Sequence, residues 1–284
     1  MKSQDHYSYS LLDSGNGQKL ERFGSHILIR PAAQAVWQPQ QPQSLWDTAH
    51  ATFTREGSNQ WLTPQTLEDS WTVSIDDIQF QLSPTDFGHL GIFPEQRMFW
   101  RWMRPLLRKK EAKILNLFAY SGGATLAAAK EGAEVCHLDA SKPMVTWARE
   151  NASLNHLENA PIRWIVDDVM KFLLREQRRG RRYDAIILDP PTFGRGPQGE
   201  LFKIEEQINP LLAQCRALLS DQPLFLALSC HTPGFTPIIM QKLVEQALNG
   251  LGGKVLTGEL LLESDLPDTF SLPSGTYAWW HHAG

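Results

Sequence analysis

Two patterns of apolar and polar positions divide this chain near residue 90. Before it, apolar residues alternate with polar ones over short stretches. Residues 25–30 and 71–75 read as strands, Asp76-Asp77 as a hairpin turn, and 78–82 as the returning strand. The segment Gln38-Pro39-Gln40-Gln41-Pro42-Gln43 offers nothing to a core and reads as an extended loop. Residues 1–90 are therefore expected to form a small β-rich N-terminal module. After residue 90, short apolar runs alternate with helical segments. Strands are expected at 113–119, 133–138, 162–166, 183–188, 223–229, 254–262 and 276–281. Helices are expected at 94–110, 124–131, 142–155, 169–179, 204–219 and 236–249. Pro94 suits a first helical turn, Ser141 an N-cap and Gly132 a helix stop.

Strands alternating with helices imply βαβ units, right-handed crossovers and a sheet covered on both faces. The expected fold of residues 91–284 is α/β and doubly wound, with a mostly parallel seven-stranded sheet. The last two strands have only a loop between them and are expected to pair antiparallel.

Composition narrows the class. With 284 residues, 42% hydrophobic and 20% charged, the chain can bury a sizeable core and is not intrinsically disordered. No apolar run approaches the roughly 18 residues of a membrane span. The start, Met1-Lys2-Ser3-Gln4-Asp5-His6-Tyr7, lacks the apolar core of a secretory signal. Cys136, Cys215 and Cys230 are too few for a disulfide framework or a zinc cage, so a reduced, cytoplasmic protein without a metal is expected. The net charge is -4, and residues 1–90 hold 5 Lys/Arg against 10 Asp/Glu. A local cationic cluster runs from Lys171 through Arg175, Arg178, Arg179 and Arg181 to Arg182. It suits phosphate contacts or simply a solvated helix end. Four of the ten tryptophans (Trp37, Trp46, Trp61, Trp71) lie in the first module, as its core or as base-stacking platforms.

In a doubly wound sheet, ligands bind beyond the carboxyl ends of the strands. The first such loop reads Asn116-Leu117-Phe118-Ala119-Tyr120-Ser121-Gly122-Gly123. Adjacent glycines let the backbone approach a ligand, but this is not the Gly-x-Gly-x-x-Gly of dinucleotide folds. Acids then end three successive strands: Asp139, Asp167-Asp168 and Asp189-Pro190-Pro191. Any one could be a helix cap. In register, they describe a nucleoside clamp beside a catalytic corner, because carboxylates are costly to bury without donors.

With these residues in hand, the chain resembles the class I S-adenosylmethionine-dependent methyltransferases. More narrowly, residues 86–235 resemble the bacterial large-subunit rRNA methyltransferase family that includes cytosine-C5 enzymes. The resemblance is carried by Gly91-Ile92-Phe93-Pro94-Glu95-Gln96-Arg97, by 116–123, by Asp189-Pro190-Pro191-Thr192-Phe193-Gly194 and by Leu228-Ser229-Cys230-His231. It implies S-adenosyl-L-methionine as cofactor and RNA, specifically rRNA, as substrate partner. It implies that Asn116, Ala119, Tyr120 and Gly122 line the cofactor, that Asp139 and Ala140 sit at its ribose, and that Asp168 sits at its adenine edge. Gln96 and Arg97 would border the methionine carboxylate, and Asp189 would face cofactor and substrate. Cys230 would be the nucleophile that adds to cytosine carbon 6, with Asp189 on the ring edge. Pro190, Pro191, Phe193 and Arg195 would meet the substrate, and 194–199 read as a flexible, cationic substrate-side loop. His231, if its ring turns that way, would lower the Cys230 thiol pKa.

Alternatives remain at this stage. Thr192 stands where amino-group methyltransferases place an aromatic after the prolines, with Phe193 one later. Transfer to a base nitrogen or a small molecule would need Asp189 but not Cys230. A buried Cys is also ordinary packing. A non-catalytic cofactor-binding protein is a further alternative, and the glycine pattern argues against a dehydrogenase.

Overall fold

The computed structural model describes residues 8–55, 57–63, 67–108 and 111–282. The polar start at 1–7 and the expected helix end at 109–110 lie outside them. The chain forms two compact units, residues 1–97 with 261–274, and residues 98–260 with 275–284. Packing thus draws the boundary at 97/98 rather than 90/91. It also assigns 261–274, expected in the second domain, to the first unit.

The first unit holds β1 (Tyr9–Gly15), β2 (Gln18–Phe23), β3 (His26–Pro31), α1 (Gln43–Trp46), β4 (Ala51–Thr54) and β5 (Gln60–Leu62). These five strands form one sheet in the order β1-β2-β3-β4-β5. Strands β6 (Trp71–Ile75) and β7 (Ile78–Leu82) make a separate hairpin, whose turn holds Asp76 at φ 53°. A short polar side chain tolerates that left-handed conformation. β1 is buried along its whole length although it contains Ser10, Asp13 and Ser14. Asp13 explains this. Its carboxylate accepts from the backbone N–H of Ser14, Gln40 and Gln41 and from Trp46 Nε1, at 2.8–3.2 Å. The glutamine-rich loop is thereby stitched to the sheet. It also captures the 261–274 segment, because Gln41 Nε2 donates to Pro267 O and Thr269 Oγ1 while Trp37 packs edge-on to Phe270. Trp46 and Trp71 are buried, and the indole N–H groups of all four module tryptophans donate to groups of this unit. These tryptophans are core and bracing residues.

The second unit follows the expected alternation: α2 (Arg97–Leu107), β8 (Lys113–Leu117), α3 (Gly123–Lys130), β9 (Glu134–Asp139), α4 (Lys142–Leu154), β10 (Ile162–Val166), α5 (Val169–Arg178) and β11 (Ala185–Leu188). Then come β12 (Phe193–Arg195), β13 (Leu201–Lys203), α6 (Ile204–Leu218), β14 (Phe225–Cys230), α7 (Pro237–Ala247), β15 (Lys254–Leu262) and β16 (Leu272–His281). The seven-stranded order is β10-β9-β8-β11-β14-β16-β15. The first five strands are parallel, and β16 runs antiparallel to β14. The doubly wound, mostly parallel sheet expected from the sequence is therefore present.

Helices α5, α6 and α7 form one layer and α3 and α4 another. Leu117, Leu138, Leu188 and Leu228 join Phe172, Leu173, Leu212, Met240 and Val244 in one core on the α5–α7 side. Each such side chain removed from water contributes roughly 1.5–3 kcal/mol. Alternate residues of β14 face the other way, where Phe225 meets Phe99 and Trp102 of α2 beside Trp279. The segment expected as a loop at 194–199 is the end of a hairpin: β12 and β13 pair, Phe193 to Lys203 and Arg195 to Leu201, and 196–200 connect them. Phe202 anchors it, buried against Phe118 with ring centroids 5.1 Å apart. Lys171 on α5 pins the hairpin's tip by an ion pair to Glu200 and a 3.2 Å bond to Gln198 Oε1.

Candidate active site

Strand register builds the site. Ile165, Leu138, Leu117, Leu188 and Leu228 lie in one row across the five parallel strands. The residues that follow are Val166, Asp139, Phe118, Asp189 and Ser229, so Asp139 ends β9 and Asp189 directly follows β11, on either side of β8. One position further come Asp167, Ala140, Ala119, Pro190 and Cys230. The register therefore brings Asp139, Ala140, Ala119, Asp189, Pro190 and Cys230 to one rim.

The loop between β8 and α3 is held in an unusual shape. Phe118 and Tyr120 adopt φ of 55° and 50°, and Gly122 adopts 93°. Such conformations cost a side chain roughly 1–2 kcal/mol and persist only where neighbours fix them. The neighbours here are specific. Tyr120 N–H donates to Asp139 Oδ2 at 2.9 Å, and Asn151 Nδ2 donates to Ser121 O at 3.0 Å. A Cβ on Gly123 would come within 2.4 Å of Trp100 Cζ2. One glycine is needed for conformation and its neighbour for close approach. Asn116 lies beneath the loop, buried, donating from Nδ2 to Thr125 Oγ1 at 2.9 Å. Thr125 Oγ1 lies 2.9 Å from Nδ1 of buried His137, whose pKa burial depresses to about 3. A neutral imidazole can accept the Thr125 hydroxyl at Nδ1, which leaves the N–H on Nε2. Among the described residues, Nε2 has no hydrogen-bond partner.

Asp139 accepts at Oδ1 from Ser141 N–H and at Oδ2 from Tyr120 N–H, both at 2.9 Å. Burial raises its pKa, opposed by the N–H groups of Ser141, Tyr120 and Ala140. Asp168 is the N-cap of α5 and accepts from Lys171 N–H at 2.9 Å. Asp167 accepts from Asp168 N–H and is ion-paired with Arg175. Three of the six clustered cations, Lys171, Arg175 and Arg179, face carboxylates of the same unit.

The β11–β14 corner is built differently. His231 Nε2 lies 3.5 Å from Asp189 Oδ1. The ring therefore turns to Asp189. Cys230 is 1% exposed, within the α5–α7 core, and burial pushes its thiol pKa up, with the Thr232 hydrogen bonds opposing and the Asp189 charge adding to the rise. A thiol pKa lowered through His231 is not what this corner produces. Thr232 N–H donates to Cys230 Sγ at 3.4 Å, and Thr232 Oγ1 lies 2.8 Å from Thr192 Oγ1, tying the two strand-end loops together. Sequence reading passed over Thr232, His137 and Thr125; only burial and partner geometry mark them. Pro190 is buried, whereas Pro191, Phe193 and Arg195 are exposed, with the Arg195 guanidinium 5.8 Å from the Phe193 ring centroid. Gln96 and Arg97 belong to the first unit, where Arg97 Nε donates to Asp76 Oδ1 at 3.1 Å.

A family model described as S-adenosylmethionine-dependent methyltransferase matches residues 20–237. The chain belongs to this family. The methyltransferase is 40% identical to a crystallised SAM-dependent methyltransferase from Agrobacterium tumefaciens, with a TM-score of 0.93 over 97% of this chain and 91% of that one. It is 34% identical to ribosomal RNA large subunit methyltransferase I of Aeromonas salmonicida over 58% of this chain and 42% of that protein. It is 31% identical to ribosomal RNA large subunit methyltransferase K/L of Pseudoalteromonas translucida over 63% of this chain and 24% of that protein. The chain thus spans less than half the length of these two curated relatives.

The cofactor of the family is S-adenosyl-L-methionine, and the rim of the methyltransferase suits it. A Cβ on Gly122 would sit 3.1 Å from Ala148 Cβ at a φ that side chains rarely adopt, so glycine lets the loop lie close against α4. The Asp139 carboxylate, fixed by backbone donors, keeps acceptor capacity for a vicinal diol. Among the described residues no helix is long and apolar enough to cross a membrane.

Proposed function

We propose that this methyltransferase acts on RNA, with rRNA as substrate and carbon 5 of a cytosine as acceptor, through a covalent adduct with Cys230. The observation that carries the reading is the juxtaposition of Asp189 and Cys230 at the ends of neighbouring parallel strands, beside the cofactor-type loop. The names of the two rRNA-methylating relatives support RNA as substrate. So does the exposed Phe193, which offers a stacking face with a cation beside it.

When bound, S-adenosylmethionine supplies an electrophilic methyl group on a sulfonium. Asp139 holds the ribose hydroxyls, Asn116, Ala119, Tyr120, Gly122 and Ala140 shape the floor, and Asp168 takes the adenine edge. Gln96 and Arg97 serve the methionine carboxylate. A general base takes the Cys230 proton, and the thiolate adds to carbon 6, breaking the 5,6 double bond. Carbon 5 then carries the electron density that takes the methyl group. Loss of the carbon-5 proton to a general base re-forms the double bond and expels the thiolate. Asp189 hydrogen-bonds the N3 and N4 edge, while Pro190, Pro191, Phe193 and Arg195 hold the base and its flank. A base inside a helix must be flipped out to reach this corner.

RNA carrying 5-fluorocytosine tests the mechanism, because fluorine cannot leave as a proton does. With the methyl donor present, a denaturing gel should show a protein–RNA adduct that disappears in Cys230→Ala. A second reading, transfer to a base nitrogen bound by Asp189, is favoured by the burial and raised pKa of Cys230. It predicts methylation of ordinary RNA without any adduct and with Cys230→Ala still active.

A further inference from the structure

The first unit carries a cavity of about 150 Å³ whose lining includes Lys19, Arg30, Arg55, Phe53, Phe87 and Glu95. Its base is an ionic cluster. Glu21, fully buried, accepts from Arg30 Nε and Nη2 at 2.7–2.9 Å and from Tyr9 Oη at 3.0 Å, and it pairs with Lys19 Nζ at 3.2 Å. Three cations against two carboxylates (Glu21, Glu95) leave the region cationic, inside a module whose overall charge is acidic. Local charge here runs against the global balance.

Phe87 stands at this cavity with 68% of its surface exposed. An apolar ring in water usually sits on a loose segment or is covered. This one stands on a braced turn. Gly88 N–H donates to Thr85 O, Thr85 N–H to His89 O and His89 N–H to Thr85 Oγ1, at 3.0–3.1 Å. Trp61 Nε1 also donates to Thr85 O at 2.9 Å, and Arg30 Nη1 donates to Gly88 O at 3.0 Å. A Cβ on Gly88 would meet the Phe53 ring at 2.4 Å, so the turn lies flat on the core. A fixed aromatic face above a cationic cavity is what a nucleotide requires: a platform for the base and charge for its phosphate.

We propose that this cavity is a subsite for one unpaired RNA nucleotide, with its base stacked on Phe87 and its phosphate held by Arg55. The proposal rests on the RNA-substrate reading above and extends it to a contact made by the first unit. Phe87 and Arg55 are exposed and lie outside the β8–β14 rim, so their replacement should leave fold and cofactor binding unchanged.

Fluorescence anisotropy of the full chain with a labelled 12-nucleotide single-stranded RNA of mixed sequence tests it. Phe87→Ala should weaken binding about tenfold, as for loss of one base stack, and Phe87→Trp should restore it. Arg55→Ala should reduce the slope of log K against log salt by about 0.7, the signature of one lost single-strand phosphate contact. S-adenosylmethionine affinity and melting temperature serve as controls and should not move. Equal RNA affinity of Phe87→Ala and the wild type overturns the subsite while leaving RNA as substrate. No binding of the 12-mer by the wild type overturns the subsite as well. Binding that depends on Phe87, without methylation of any RNA, keeps the subsite and removes the proposed acceptor.

Discussion

At the β8–β9 side of the rim, the carboxylate of Asp139 meets two backbone N–H groups, the glycine loop is tied down by Asn151, and Asn116 and Thr125 satisfy each other beneath it. At the β11–β14 side, most contacts run between side chains, Asp189 to His231 and Thr192 to Thr232, beside the one backbone donation from Thr232 N–H to Cys230 Sγ, and an exposed Phe193 stands on a hairpin pinned at its tip by Lys171. The donors on the first side are main-chain groups of the loops entering α3 and α4, which cannot rearrange by a rotamer change. Side-chain pairs can. On the proposed function, the difference separates the side that holds the one cofactor from the side that admits the nucleic-acid substrate.

That contrast can be broken by substitution. The largest expected effect is at Cys230. Cys230→Ala should lower turnover on the order of 10³-fold or more, as removal of a nucleophile does, with cofactor affinity unchanged by calorimetry. Retained turnover would falsify the thiolate mechanism. Next is Asp139→Ala, which should weaken S-adenosylmethionine binding by about 1–3 kcal/mol, the range for a lost charged hydrogen bond. An unchanged titration curve would remove Asp139 from the ribose. Gly123→Ala should cost about 1–3 kcal/mol of stability by forcing a methyl against Trp100; an unshifted melting temperature would show that the indole gives way freely.

His137 sharpens the comparison through pH. Burial holds its folded pKa near 3, against 6.5 ordinarily. Above 6.5 neither state is protonated. Between 6.5 and about 3 only the unfolded chain takes the proton, so stability falls as pH falls, by about 1.4 kcal/mol per pH unit. His137→Gln should flatten the melting temperature between pH 7 and 4.5, and parallel curves would contradict this account. The smallest effect is expected at Lys171. Lys171→Ala should speed hydrogen exchange in 193–203 without changing it in 116–123.

The second unit was legible because β8, β9 and β10 are short apolar runs each followed by a helix, and because the acids fall at strand ends in register. The first unit was less so. β1 is buried on both faces yet polar in sequence, and only the hub at Asp13 accounts for that. The hairpin at 193–203 was hidden by its glycines and revealed by one anchor, Phe202. The positions of the aspartates and Cys230 at strand ends were readable, whereas Thr232 and His137 are marked by Thr192 and Thr125, partners distant in sequence.

The division of the chain carries one more consequence. Because 261–274 leaves the second unit and is held by Trp37, Gln41 and the Leu11–Ser264 bridge of the first, neither unit is a contiguous stretch of gene. A single cut cannot inherit one without the other. Recombination at residue 97 would strand the first unit without its own last segment.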